Sequence, residues 1–270
     1  MERFALAYTV TSPECAAPHP MGHRAAFEVA LEDLAGLGYA GVEIQVRDPQ
    51  ALAPGSLARS LAAAGMQAAA LATGPVRGED GLRLDGDAAI RSATVALLCR
   101  VIDLAGELGA LVTIGGIRGA PSTPQEQAQV ADALGEVVVH AADVGVLLTL
   151  EPQHRGVGPY LCTVSATLEL LEERGWDQVA IVADSFHLLR EERSWLGALV
   201  RAGRRLSHVQ LGENHREALG TGSLPLTATL DVLDALDYRG WLVMEHAQGG
   251  DSHEAARRSA AAIQVAATGL

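Results

Sequence analysis

The chain has 270 residues, of which 49% are hydrophobic, and its 20 basic and 33 acidic side chains give a net charge of −13. This acidic balance argues against nucleic acid or an anionic membrane as the main partner. All 20 cations are arginines, so a Schiff-base lysine, a lysine general base and the lysine of a P-loop are excluded.

The length suits either one barrel or two small domains. No linker or long charge run divides the chain, so we expect a single domain over residues 1–270. The three cysteines have neither metal-like spacing nor the even number of a disulfide framework. No apolar run reaches membrane length, and the first ten residues lack the basic start and cleavage site of a secretory signal. We therefore expect a cytoplasmic protein.

Short apolar runs that predict strands alternate with Ala/Leu-rich stretches that predict helices along the whole chain. Several helical stretches close on a glycine just before the next strand, as at Gly65, Gly109 and Gly145. The predicted strands cover residues 3–9, 40–46, 67–72, 110–115, 146–151, 178–184, 205–211 and 240–245. The predicted helices cover residues 24–37, 50–64, 88–108, 124–144, 163–174, 193–203, 224–236 and 252–267.

Eight strand–helix units in about 250 residues are typical of a single (β/α)8 TIM barrel, which is the α/β fold we predict. A doubly wound open sheet is the alternative, but no GxGxxG motif follows the first predicted strand. The loops that follow the strands are longer and more polar than those that precede them. In a TIM barrel these loops carry the active site, at the C-terminal ends of the strands.

Four carboxylate or amide side chains lie where predicted strands end: Glu151, Asp184, Gln210 and Glu245. Because side chains alternate along a strand, the four fall in one layer on the same side of their strands. In a parallel barrel they would face one mouth. Oxygen-rich ligands that converge on one point are how proteins hold a hard divalent cation. The pattern therefore predicts a metal-dependent enzyme.

The stretches GYAGVEI, LEPQHR, ADSFH, HVQLGENHREALGTG and GWLVMEH resemble the xylose-isomerase-like sugar isomerase and epimerase superfamily. The resemblance is to its ketose 3-epimerase and hydroxypyruvate isomerase branches, and it covers most of the predicted barrel. It implies a homodimer or homotetramer that acts on a small hydroxy-carbonyl compound or sugar. It also implies one divalent cation, Mn²⁺ or Mg²⁺ with Co²⁺ as a further option, held by Glu151, Asp184, Gln210 and Glu245.

The chain departs from the 3-epimerase pattern at two positions. Gln210 stands where the 3-epimerases use His, as in the hydroxypyruvate isomerases, and its carbonyl makes the ligand set all-oxygen, which favours Mg²⁺ or Mn²⁺ over Zn²⁺. Val157 replaces an acidic residue of the 3-epimerases in the loop after the fifth strand. The segment GENHREALGTG, by contrast, is closer to the epimerase loop, so the sequence lies between the two branches.

Isomerising or epimerising an α-hydroxy carbonyl requires removal of a C–H proton beside the carbonyl. A cation that chelates the substrate oxygens acidifies that C–H and stabilises the enediolate. Glu151 and Glu245 are the expected acid/base pair, one removing and the other returning the proton. The resemblance implies that His187 and Arg216 contact substrate oxygens.

Further side chains received predictions of their own. His154, predicted to lie over the mouth, and Tyr8, at the end of the first strand, are expected to contact the substrate. Glu43 is interpreted as a paired, structural glutamate, and His208 as a residue that fills the barrel or supports a ligand.

Two other functions remain open. One is a metal-dependent lyase, a dehydratase or C-glycoside-cleaving enzyme that shares the first proton abstraction, and the other is a non-catalytic barrel.

Overall fold

A computed structural model describes residues 4–53 and 55–268. Within these residues, parallel strands close into one barrel in the order of the chain, β1 to β8, and β1 completes the ring against β8. The strands are β1 (Ala5–Thr11), β2 (Gly41–Gln45), β3 (Gln67–Ala72), β4 (Leu111–Ile114), β5 (Leu148–Leu150), β6 (Ala180–Asp184), β7 (Leu206–Leu211) and β8 (Trp241–Met244). The predicted TIM barrel is confirmed.

Helices follow the strands and surround the barrel. They are α1 (Phe27–Gly36), α2 (Ser56–Ala64), α3 (Gly74–Glu79), α4 (Ala88–Leu108), α5 (Pro124–Val144), α6 (Val164–Arg174), α7 (Ser185–Glu191), α8 (Trp195–Ala202), α9 (Leu226–Ala235) and α10 (Ser252–Thr268). α3 and α7 occupy segments that the sequence predicted as loops. Residue 3 of the first predicted strand and residue 54 of the second predicted helix lie outside the described residues.

Local sequence explains where many helices begin and end. Thr123 and Glu126 form a reciprocal capping box at the start of α5, where Pro124 takes the first helical position. α4 and α5 end at Gly109 and Gly145, which have φ values of 65° and 78°. Glycine adopts this left-handed conformation without the steric penalty that other residues incur, so it stops the helix just before the next strand.

The apolar core has two parts. The larger lies between the strands and the helices, where burial of apolar surface supplies most of the stability. A small cluster of Ala7, Ala69 and Val243 lies in the barrel interior. Polar side chains occupy other interior positions, and Glu43 and His208 are fully buried there. None of the described helices is long and apolar enough to cross a membrane.

Candidate active site

A cavity of about 260 Å³ opens at the C-terminal end of the barrel, the end at which TIM barrels carry their active sites. Six of the residues predicted from sequence line or adjoin it. Glu151 and Glu245 line it, as do Gln210, His187 and Arg216. Asp184 is fully buried and its Oδ2 lies 3.5 Å from Nε2 of His187. The structure therefore brings these six predicted residues together.

Glu151 follows β5 directly, and three neighbouring residues define its position. Gln153 Nε2 donates to Glu151 Oε2 at 2.9 Å, and Nη2 of the buried Arg118 donates to the Glu151 backbone carbonyl at 2.6 Å. A Cβ at Gly115 would lie 2.1 Å from Glu151 Oε2, so a glycine is required beside this carboxylate. Burial and the neighbouring Asp184 carboxylate raise the pKa of Glu151 to about 8.

Asp184 and Gln210 each have one uncommitted side-chain oxygen, that is, one that accepts no hydrogen bond. Asp184 Oδ1 accepts the backbone N–H of Phe186 at 2.8 Å and caps α7. Gln210 Nε2 donates to both carboxylate oxygens of Glu43, at 3.0 and 3.1 Å. Among the residues that the structure describes, Asp184 Oδ2 and Gln210 Oε1 are buried and accept no hydrogen bond. Such oxygens are costly to bury, and two of them beside two glutamates fit a site for a hard cation.

Glu245 follows β8 and pairs with Arg216. Arg216 Nη2 lies 2.9 Å from Glu245 Oε2 and 3.6 Å from Asp184 Oδ2. The guanidinium is 4.6 Å from the centre of the Phe186 ring, and the Arg216 backbone has a φ of 64°, which is uncommon for a residue other than glycine. Burial raises the pKa of Glu245 well above its ordinary value, despite the opposing effect of Arg216.

His187 presents one ring nitrogen to this cluster. The His154 backbone N–H donates to His187 Nδ1 at 3.3 Å, and the two Nδ1 atoms lie 2.6 Å apart. Burial lowers the pKa of His187 to about 4, so the ring is neutral, and the His154 N–H at Nδ1 favours the tautomer with its proton on Nε2. Nε2 is 3.4 Å from Glu151 Oε1. Ligand atoms of Glu151, Asp184 and His187 lie within 4.8 Å of one another, close enough to hold a metal ion.

Two residues predicted to contact the substrate lie elsewhere. His154 lies behind His187, with which it stacks at 4.8 Å between ring centres, and it is outside the cavity lining. Tyr8 also lies outside the cavity. Because Ala7 faces the barrel interior and side chains alternate along a strand, Tyr8 points outward. There it packs against Tyr39, and its hydroxyl accepts Nε2–H of Gln248 at 3.0 Å. The structure therefore does not bring the predicted Tyr8 to the cavity, because its position on β1 faces the helices and not the barrel interior.

Other residues line the cavity without having been predicted to do so. They include His19, Gln45, Arg77 and Gln153. Burial lowers the pKa of His19 to about 4. The sequence predicted that His19 lies in a loop that follows the first strand, at the C-terminal end of the barrel. It gave no sign that His19 faces the cavity while His23, four residues later, pairs with Asp33.

Comparison with known proteins identifies the class that this fold and site define. A family model described as a xylose isomerase-like TIM barrel matches residues 31–265, and the chain belongs to that family. An L-ribulose 3-epimerase of Mesorhizobium japonicum is 29% identical over 231 residues, 81% of this chain and 74% of that protein. A ketose 3-epimerase of Arthrobacter globiformis is 32% identical over 165 residues, which are 59% of this chain and 57% of that protein.

Solved structures agree on the fold. A structure of an L-ribulose 3-epimerase superposes with a TM-score of 0.81 and covers 98% of this chain and 96% of that one, at 24% identity. At this identity the likeness concerns the fold alone. Together with the sequence relatives, which are named as sugar epimerases, the comparisons confirm the predicted family and the prediction of an enzyme of the isomerase and epimerase class.

Proposed function

We propose that the chain is a divalent-metal-dependent epimerase of a small ketose sugar. One observation carries the proposal: two buried glutamates, Glu151 and Glu245, line the same cavity beside the uncommitted oxygens of Asp184 and Gln210. The names of the relatives, L-ribulose 3-epimerase and ketose 3-epimerase, indicate the substrate class and the carbon at which the configuration changes.

Glu151, Asp184, Gln210 and Glu245 would hold the cation. The set consists of oxygen atoms only, which favours Mn²⁺ or Mg²⁺, with Co²⁺ as a further option. His187 fits less well as a ligand, because a proton on Nε2 leaves no lone pair for the metal. A bound cation would polarise the ketose carbonyl and so acidify the neighbouring C–H bond.

Glu151 and Glu245 then act as the acid and the base. They follow β5 and β8, which are separated by β6 and β7, so their carboxylates approach the cavity from different sides. One carboxylate takes the proton from C3 of the ketose, leaving a planar enediolate, and the other returns a proton to the opposite face. The C–H bond on one face breaks and a new one forms on the other, so the configuration at C3 inverts. In the metal-free site the pKa of both groups is raised by burial, and a bound cation would lower it again, because the cation stabilises the carboxylate form.

His187 and Arg216 stabilise the negative charge that develops on the substrate oxygen. As a neutral imidazole with a proton on Nε2, His187 donates a hydrogen bond without contributing a charge of its own. Arg216 supplies the fixed positive charge. His154 acts through His187, because its backbone N–H keeps Nδ1 an acceptor and so fixes the tautomer.

Solvent exchange tests the proposal. The Mn²⁺-loaded protein is incubated in D₂O with L-ribulose and, separately, D-psicose, and the products are examined by NMR and mass spectrometry. We expect deuterium at C3 together with the C3 epimer. Deuterium at C1 with an aldose product would indicate an aldose–ketose isomerase, and loss of water would indicate the lyase. No exchange with either sugar would contradict the substrate class. A cytoplasmic location and a homodimer or homotetramer stay predictions.

A further inference from the structure

A buried hydrogen-bond network lies behind Gln210. We propose that Glu43, on β2, is a positioning residue that aims the Gln210 carbonyl oxygen at the cation. This inference rests on the proposed function, because it concerns the same cation site. It gives a role in metal affinity to a glutamate that the sequence had suggested was structural only.

An amide ligand has two ends, and only its oxygen can bind a cation. The end that reaches the site is set by what the other end contacts. Both carboxylate oxygens of Glu43 lie within 3.1 Å of Gln210 Nε2, and an ionised carboxylate accepts hydrogen bonds but donates none. A rotated amide would set Gln210 Oε1 against these oxygens with no proton between them. Glu43 therefore selects the orientation in which Gln210 Oε1 is left free.

Glu43 is itself held in place. It is fully buried, and its Oε2 lies 2.7 Å from Nε2 of His208. Gln45 Nε2 donates to Glu43 Oε1 at 3.4 Å, and Gln45 Oε1 accepts the Gly74 backbone N–H at 2.9 Å. The carboxylate thus joins β2 to β7 across the barrel interior, and a group with so many partners has little freedom to turn away from Gln210.

Two conservative variants separate positioning from simple charge. Glu43→Asp keeps the negative charge but withdraws the carboxylate by one methylene from Gln210 Nε2. Glu43→Gln removes the charge and also replaces one acceptor oxygen with an NH₂ donor, which can bond either end of the Gln210 amide. Positioning predicts that both variants weaken Mn²⁺ binding by about 10–100-fold, the usual cost of losing a group that orients a ligand. Attraction between charges predicts that Glu43→Gln weakens binding and that Glu43→Asp does not.

The probe is Mn²⁺ alone, titrated by calorimetry into the metal-stripped full chain, with thermal unfolding recorded for each variant as the folding control. The same two substitutions are then made together with Gln210→Ala. If Glu43 acts through Gln210, the loss caused by Glu43→Asp should disappear in that background. An equal loss in both backgrounds, or wild-type Mn²⁺ affinity in Glu43→Asp, would overturn the inference.

Failure of the inference is distinguishable from failure of the proposed function. If the wild type binds Mn²⁺ and Glu43→Asp binds it equally well, the role of Glu43 is wrong and the cation site stands. If the wild type binds no Mn²⁺, the proposed cation site fails and the role of Glu43 fails with it.

Discussion

Replacing Glu151 with glutamine should stabilise the metal-free protein, although it removes a proposed catalytic group. In the folded chain Glu151 is buried beside the Asp184 carboxylate, and these surroundings raise its pKa from 4.5 to about 8. Glutamine has nearly the same shape and carries no charge at any pH. Its oxygen can still accept the hydrogen bond that Gln153 Nε2 donates to Glu151.

The magnitude follows from the two pKa values of Glu151. Near pH 7 the Glu151 carboxyl is deprotonated in the unfolded chain. In the folded chain it either keeps its proton or carries a buried negative charge. The gap between pH 7 and the ordinary value of 4.5 is about 2.5 pH units, which corresponds to about 3.5 kcal/mol of lost stability at about 1.4 kcal/mol for each unit. Since the folded pKa is the higher one, this penalty is absent below about pH 4.5 and grows as the pH rises towards 8.

The assay is thermal and urea unfolding of chelator-treated wild type and Glu151→Gln at pH 5 and at pH 7.5. At pH 7.5 the variant should melt about 6–10 °C higher, and at pH 5 the two should nearly coincide. Mn²⁺ should reverse the order, because only the wild type has the full ligand set. Glu172→Gln, at an exposed position, is the control and should change neither result. A Glu151→Gln variant that is no more stable at pH 7.5, or whose gain does not depend on pH, would refute the reasoning.

Three further predictions concern the same site. Glu245→Gln should abolish epimerisation while its circular dichroism spectrum stays that of the wild type, and retained turnover would contradict the proposed acid/base pair. Mn²⁺ binding should release protons and strengthen from pH 6 to pH 8, because burial raises the pKa of Glu151 and of Glu245. Calorimetry in buffers of different ionisation enthalpy measures the number of protons released, and binding without proton release would contradict the prediction. Gly115→Ala should weaken Mn²⁺ binding by at least about tenfold, since its Cβ would meet Glu151 Oε2 at 2.1 Å. Gly116→Ala should not, because its nearest contact, Gln153 Oε1, is 3.9 Å away, and equal effects of the two alanines would refute the steric argument.

The sequence predicted those features that depend on short-range periodicity. Alternation within β5 to β8 and the ends of those strands predicted that Glu151, Asp184, Gln210 and Glu245 would lie together, and Gly109 and Gly145 marked where helices end. Tyr8 was placed only by its position at a strand end, and a strand end alone does not say which face points inward. The ring closure that pairs β1 with β8 joins residues far apart in the chain, so register across it could not be read from either segment.

Contacts across the barrel could also not be predicted from the sequence. The hydrogen bonds between Glu43 and Gln210 join residues 167 positions apart, and no spacing rule connects them. His154 and His187, 33 positions apart, were both predicted to contact the substrate. Only the three-dimensional arrangement shows that the first lies behind the second. Such relations depend on how loops and strands pack, which local patterns do not encode.

Calorimetric titration of the metal-stripped protein with Mn²⁺, run beside Asp184→Ala, tests the central claim most directly. The cation site predicts tight binding at one site in the wild type and its loss in the variant, which removes the buried and uncommitted Oδ2 of Asp184. Thermal unfolding of Asp184→Ala establishes that the variant remains folded. A wild type that binds no Mn²⁺, or a folded Asp184→Ala variant that binds it as tightly, would contradict the proposed metal-dependent epimerase.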